Sequence, residues 1–163
     1  MGRSLHRAFR RAAARRRKSA RAGGREPSMR VFLAEDDAAM REHLGQVLRA
    51  IPRLEIVFAA ATEEEAIGWL DTHPQDWDLA LIDLFLERGH GFNILRRCAV
   101  RSSHQQVVLM SNYARDPVRE RAAETGADAF FDKTTEITAL IDFCIEAGRS
   151  LHPHPGQEGT HMR

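Results

Sequence analysis

The chain has 163 residues, of which 43% are hydrophobic and 29% are charged, proportions typical of a single soluble globular domain. No apolar run approaches the ~20 residues of a membrane-spanning helix, and the two cysteines form neither a CxxC pair nor a disulfide framework, which favours a reducing, cytoplasmic compartment. The net charge of +1 is uneven: residues 1–28 hold ten basic residues and one acid, a net +9, which leaves −8 for the remainder.

The Arg-rich segment 1–28 is expected to be a disordered extension, and it has no apolar stretch like that of a secretory signal. Three interpretations stay open: a transit-like segment, a basic arm that touches nucleic acid, or an extension upstream of a true start at Met29. The third is favoured because Met29 directly precedes the first predicted strand. Since the rest of the chain is acidic, charge alone does not indicate a nucleic-acid binder. Residues 149–163 are expected to be a disordered tail.

Between these tails, short apolar runs alternate with segments of helical period. In chain order, strands are predicted at Val31–Ala34, Glu55–Ala59, Leu79–Asp83, Val107–Met110 and Ala129–Phe131, and helices at Ala38–Ala50, Glu63–Asp71, Phe92–Arg101, Pro117–Thr125 and Glu136–Gly148.

Local signals support these helices: Thr62 and Glu65 form a capping box, Asp116 precedes Pro117 as an N-cap, and Gly126 can end the fourth helix. Five βα units with right-handed crossovers predict an α/β fold over residues 29–148. It is a flavodoxin-like (βα)₅ open parallel sheet with strand order 2-1-3-4-5 and helices on both faces.

Polar residues follow four of the five predicted strands. Glu35 and Asp36 follow the first, Asp83 ends the third, Ser111 follows the fourth and Lys133 follows the fifth. Each alone has an ordinary explanation, such as helix capping or a surface turn, but ligands of open α/β sheets bind at these strand ends. Three converging carboxylates repel one another unless a cation lies among them. The pattern predicts a site for Mg²⁺, which uses few carboxylates and accepts phosphate oxygens.

Over residues 29–148 the chain resembles the receiver domain of response regulators in two-component systems. The resemblance rests on VFLAEDD, LALIDLFL, the His90-Gly91 pair where the family usually has Asp-Gly, VVLMS and GADAFFDK. It implies that Asp83 is the phosphoacceptor and that Asp36 binds Mg²⁺ directly, with Glu35 acting through water and the backbone carbonyl of Phe85 as a further ligand.

The resemblance also implies that Ser111 and Lys133 contact the phosphoryl group, and that Ser111 and Phe130 move together as a switch. The phosphoryl group would come from a phosphohistidine on a histidine kinase or histidine phosphotransfer protein. The chain would then be a stand-alone signalling receiver rather than an enzyme, catalysing only its own phosphorylation and dephosphorylation and acting on a downstream protein. A homodimer stays open.

Four positions depart from the usual family pattern. Glu87 and Thr134 stand where proline is frequent, Ser111 replaces a frequent threonine, and Asn112 replaces a small residue. Without proline at position 134, the cis peptide bond that the family often has there is costly.

Phe85 and Tyr113, each two residues beyond a site residue, are expected to flank the phosphoryl group and to exclude water from it. The competing hypotheses are a phosphorylation-independent adaptor of the same fold, nucleic-acid binding through the basic arm, and a metal-dependent phosphatase. Against the phosphatase, this chain lacks a second catalytic acid near Asp83.

Overall fold

The computed structural model describes residues 28–151. Apart from Ser28, the predicted N-terminal extension lies outside the described residues, as does the predicted tail beyond Leu151. Within the described part, the chain alternates strands and helices as β1 (Met29–Ala34), α1 (Ala38–Arg49), β2 (Leu54–Ala60), α2 (Glu63–Thr72), β3 (Leu79–Asp83), α3 (Gly91–Arg97), β4 (Gln106–Ser111), α4 (Asp116–Thr125), β5 (Ala129–Asp132) and α5 (Ile137–Leu151).

The five strands form one parallel sheet in the order β2-β1-β3-β4-β5. This confirms the predicted flavodoxin-like arrangement. The order brings the carboxyl ends of β1 and β3 side by side, with β4 next to β3 and β5 beyond β4. None of the helices between residues 28 and 151 is long and apolar enough to cross a membrane.

Side chains alternate between the two faces of the sheet and build a core on each. On the central strand β3, Ala80 and Ile82 belong to the core under α2, α3 and α4, whereas Leu79 and Leu81 belong to the core under α1 and α5. Every residue of β3 is buried, which explains its continuous apolar run. Phe130 and Phe131 likewise pack against opposite helix layers.

Two of the predicted capping signals are confirmed. The Thr62 side chain accepts a hydrogen bond from the Glu65 backbone N–H at 3.2 Å, although the Glu65 carboxylate bonds to the backbone of Ala61. Gly126 ends α4 with φ of +106°, a left-handed conformation that favours glycine.

Predictions about three helix ends were wrong. Helix α5 runs to Leu151 instead of ending at Gly148, because Leu151 packs against the core, so residues 149–151 of the predicted tail are helical. The N-cap of α4 is Arg115 rather than Asp116, which is the first helical residue. Aspartate and proline are both favourable in the first turn of a helix, so the Asp116-Pro117 pair did not determine which residue begins it. Helix α3 ends at Arg97 instead of Arg101. The Arg101 guanidinium bonds to the carbonyls of Cys98, Gln105 and Gly126 and so stabilises a loop after the helix.

Candidate functional site

Three carboxylates meet where β1 and β3 end. Glu35 and Asp36 follow β1, and Asp83 is the last residue of β3; one oxygen of each lies within 4.8 Å of the others. Glu35 and Asp83 are buried, and Asp36 is half-buried. The sheet order produces this meeting, because β1 and β3 are hydrogen-bonded neighbours running in the same direction. Carboxylate oxygens in this arrangement are ligands suited to a hard cation such as Mg²⁺.

Lys133 joins this cluster from the end of β5. Its Nζ donates to Glu35 Oε2 at 2.8 Å and to Asp83 Oδ2 at 3.0 Å, and the side chain is almost wholly buried. The lysine partly offsets the charge of the two carboxylates, which would otherwise be costly to bury.

Burial controls the titration of these groups. It raises the pKa of Glu35 to about 7, against the lowering effect of the hydrogen bond from Lys133, and it also raises the pKa of Asp83. For Lys133, burial lowers the pKa, but the bonds and charges of Glu35 and Asp83 outweigh it, so that the net shift is upward. The pocket therefore favours a proton on an acid or a cation among the acids.

The loop between β3 and α3 closes one side of the pocket. The backbone N–H of Glu87 donates to Asp36 Oδ2 at 2.6 Å, and that of Phe85 makes a longer bond to Asp83 Oδ1 at 3.4 Å. Across the loop, Phe85 and His90 form an antiparallel bridge. The loop thus positions the backbone of Phe85 beside the acidic cluster.

Helix α2 holds the far end of this loop. The Glu63 carboxylate accepts from the backbone N–H of His90 at 2.7 Å and from Asn93 Nδ2 at 3.2 Å. Gly89 has φ of +110° and lies so close to Glu63 that a side chain there would collide with it. The sequence predicted Glu63 only as the start of a helix and not as a site residue, since nothing in its local pattern indicates a contact with a loop 27 residues away.

The cluster opens into a cavity of about 360 Å³. The residues that line it are Glu35, Asp36, Asp37, Asp83, Phe85, Glu87, Asn112, Tyr113 and Lys133. Five of the predicted site residues are among them, whereas Ser111 and Phe130 are not. At the mouth, the rings of Phe85 and Tyr113 meet edge to face with centroids 5.8 Å apart, and both are exposed.

Ser111, the last residue of β4, is buried, and the two residues after it, Asn112 and Tyr113, line the cavity. Its Oγ accepts from the Tyr113 backbone N–H at 2.9 Å, and its carbonyl accepts from the Lys133 backbone N–H at 3.0 Å. In this structure the hydroxyl is therefore held by the loop that follows β4.

Phe130 lies half-buried on β5 under a guanidinium. The Arg119 Cζ is 5.2 Å from the ring centroid, and the same side chain donates to the Phe130 carbonyl at 3.2 Å and to Glu136 Oε2 at 2.6 Å. Arg119 also donates to the carbonyl of Ala114 in the β4–α4 loop at 3.2 Å. This arginine, which the sequence predictions did not include, connects the loop after Ser111 with β5 and the start of α5.

Arg41 is a second basic residue that sequence patterns did not indicate. From the first turn of α1, its Nη1 donates to the backbone carbonyl of Glu35 at 2.7 Å and more weakly to that of Asp36 at 3.4 Å. It fixes the backbone that carries two of the three carboxylates.

No cis peptide bond occurs in the described residues, so the chain after Lys133 is trans.

Comparison with known proteins agrees with the geometry. The response regulator receiver domain family matches residues 31–144. The transcriptional regulatory protein PdtaR of Mycobacterium tuberculosis is 35% identical over 134 residues, covering 80% of this chain and 63% of that protein. The uncharacterized transcriptional regulatory protein YvfU of Bacillus subtilis is 26% identical over 129 residues, covering 77% of this chain and again 63% of the relative.

Solved structures share the fold at low sequence identity. The Francisella response regulator 1452 receiver domain has a TM-score of 0.66 and 17% identity, covering 76% of this chain and 99% of that one. The signal receiver domain of a DNA-binding response regulator from Colwellia psychrerythraea has a TM-score of 0.64 and 24% identity, covering 73% and 97%. The chain spans less than two thirds of the two curated relatives. It belongs to the response-regulator receiver family, the signalling modules of two-component systems.

Proposed function

We propose that Asp83 accepts a phosphoryl group from a phosphohistidine on a histidine kinase or histidine phosphotransfer protein. The observation that carries this is the buried Asp83 carboxylate, which faces a cavity between two further acids and the Lys133 ammonium. The phosphorylated chain then signals to a downstream protein by changing shape, and a cytoplasmic location is part of this proposal. The alternative of nucleic-acid binding depends on residues 1–28, nearly all of which lie outside the described residues.

The donor set fits Mg²⁺, because the cluster offers carboxylate oxygens from two buried side chains and one half-buried side chain, beside a cavity with room for water. Asp36 and Asp83 would hold the ion directly with the Phe85 carbonyl, and Glu35 would act through water. When bound, Mg²⁺ neutralises charge that develops on the phosphoryl oxygens. A similar structure from Borrelia burgdorferi, 18% identical, is a CheX–CheY complex with BeF₃ and Mg²⁺.

The chain's own residues perform the transfer. A carboxylate oxygen of Asp83 attacks phosphorus in line with the phosphohistidine nitrogen, so that a P–O bond forms while the P–N bond breaks and its electron pair returns to the imidazole. Lys133, whose Nζ is 3.0 Å from Asp83 Oδ2, would pair with a phosphoryl oxygen. The product is an acyl phosphate on Asp83.

Propagation of the signal begins at Ser111. In this structure its Oγ accepts from the Tyr113 N–H, and the hydroxyl hydrogen remains able to donate to a phosphoryl oxygen. A shift of this hydroxyl towards the phosphoryl group would draw Tyr113 and the β4–α4 loop with it, and the Ala114 carbonyl of that loop is tied through Arg119 to Phe130 and Glu136. The face formed by α4, β5 and α5 is therefore the proposed output surface.

The test is incubation with phosphoramidate and Mg²⁺, followed by measurement of the intact mass. Wild type should gain one phosphoryl group, and Asp83→Asn should gain none. A wild-type chain that stays unlabelled while folded would refute the phosphoacceptor proposal in favour of an adaptor of the same fold.

A further inference from the structure

A second concave surface, outside the acidic pocket, lies between α3 and α4. It encloses about 570 Å³, a volume in the range of ligand and peptide sites. Its floor is apolar, with Leu84 and Phe92 both buried, and Val118 lies on the α4 side. Phe92 and Arg96 are four residues apart on α3, and Pro117 and Arg121 are four apart on α4, so each helix presents one face to the groove.

The rim of this groove is positively charged. The Arg121 guanidinium lies over the Phe92 ring at 5.0 Å, and Arg96 donates to the side chain of Asn93 at 2.8 Å. Within residues 28–151, neither arginine forms an ion pair with a carboxylate. The adjacent Arg97, which does not line the groove, is in contrast paired with Asp71 at 2.6 Å.

The carboxylate of Glu63, which contacts two residues of the groove lining, is already engaged. Glu63 accepts hydrogen bonds from His90 and Asn93. Within residues 28–151 it forms no ion pair with Arg96 or Arg121 that would neutralise the rim.

We infer that the α3–α4 groove binds an acidic peptide segment of a partner protein. A large apolar side chain of the partner would pack against Pro117 and Val118, and flanking carboxylates would pair with Arg96 and Arg121. Charge complementarity selects this occupant. It also excludes the chain's own segment 1–28, whose net charge of +9 the rim would repel.

The groove shares a wall with the acidic pocket. Phe85 lines both cavities, and its ring meets His90 edge to face at 5.3 Å and Tyr113 at 5.8 Å. A peptide in the groove would therefore contact a ring at the mouth of the phosphoacceptor pocket. Binding itself does not require phosphorylation, so the inference extends beyond the proposed function and can fail without it.

The test selects ligands from a random peptide library displayed on phage, with the full unphosphorylated chain as bait and Arg96→Gln/Arg121→Gln as the clearing protein. A synthetic peptide of the selected consensus is then titrated by fluorescence anisotropy. Arg97→Gln is the matched control, because it removes a guanidinium from the same helix outside the groove. Circular dichroism verifies that each variant is folded.

The expected consensus has acidic residues on both sides of a large apolar residue. The affinity of the protein for this peptide should fall about tenfold or more in the double variant, because charge-assisted hydrogen bonds are lost. It should be unchanged in Arg97→Gln. Exchanging a peptide carboxylate for lysine should restore binding to Arg121→Glu. Neutral or basic consensus peptides, equal affinity for the double variant, or self-association abolished by Arg96→Gln/Arg121→Gln would each overturn the inference.

Discussion

Two positions where the family usually has proline supply hydrogen bonds in this chain. The backbone N–H of Glu87 donates to Asp36, and that of Thr134 donates to Asp132 Oδ1 at 2.7 Å. Proline has no N–H and could make neither bond. The departures that stood out in the sequence thus support the two loops that border the acidic pocket.

The aromatic pair at the pocket mouth leads to a prediction about phosphoryl lifetime. Because the Phe85 and Tyr113 rings touch each other over the cavity, they should hinder attack by water on a phosphoryl group at Asp83. Phe85→Asn and Tyr113→Glu should each speed the decay of phosphorylated protein, measured by loss of labelled mass with time. Unchanged or slower decay in both variants would contradict this role.

The two cysteines yield a prediction about pH. Burial raises the pKa of both Cys98 and Cys144 to about 12, so at pH 8 only about one thiol in 10⁴ is ionised in the folded chain. A thiol–disulfide reagent should label them slowly in the native state and fast in denaturant. Each thiol has a higher pKa in the folded chain than the ordinary 9.0. The contribution of the two buried thiols to the free energy of unfolding is therefore fully present below pH 9 and is lost as the pH rises from 9 towards 12. Rapid labelling of the native chain would contradict the burial.

At the scale of elements, the start of α3 depends on close contact with β3. A Cβ added to Gly91 would lie 2.5 Å from the Asp83 carbonyl oxygen and 2.8 Å from the Leu84 Cα. The helix therefore begins against the backbone that presents the proposed phosphoacceptor, and only glycine allows that approach.

This contact predicts opposite effects of two glycine substitutions. Gly91→Ala should destabilise the fold by about 1–3 kcal/mol through overpacking against backbone. Gly68→Ala, exposed within α2 with nothing near its added Cβ, should stabilise it by about 0.5–1 kcal/mol. Urea denaturation measures both. Equal shifts in the two variants would contradict the packing at Gly91.

The periodicity of hydrophobic residues along the sequence was sufficient to predict the ten elements, because buried parallel strands and amphipathic helices differ in this periodicity. Helix ends were less predictable. Val100 lies within the predicted α3 segment, yet it is 98% exposed. One of the carbonyls that Arg101 contacts in the loop, that of Gly126, is distant in sequence.

At the scale of the whole molecule, the sheet has two cores that should contribute comparably to stability. Leu81 packs under α1 and α5, and Ile82 packs on the opposite face. Leu81→Ala and Ile82→Ala should each lower the free energy of unfolding by about 2–5 kcal/mol. Val100→Ala, at an exposed site, should change it by less than about 0.5 kcal/mol. A near-neutral result for either core variant would contradict the two-sided core.

The same topology explains why the site was largely predictable. Parallel strands place their carboxyl ends at one edge, so Glu35, Asp36, Asp83 and Lys133 could be grouped from their positions after strands. Residues that act from helices could not be found in this way. Arg41, Glu63 and Arg119 bind backbone groups of the loops at this end of the sheet, and such contacts leave no periodic signal.

The central claim is that Asp83 itself carries the phosphoryl group. Borohydride reduces an acyl phosphate to an alcohol, so treatment of phosphorylated protein should convert that aspartate to homoserine, which peptide mass spectrometry locates. Homoserine is predicted at position 83, dependent on both phosphodonor and Mg²⁺ and absent in Asp83→Asn. Reduction at Asp36 instead, or labelled protein with an unreduced Asp83, would contradict the account.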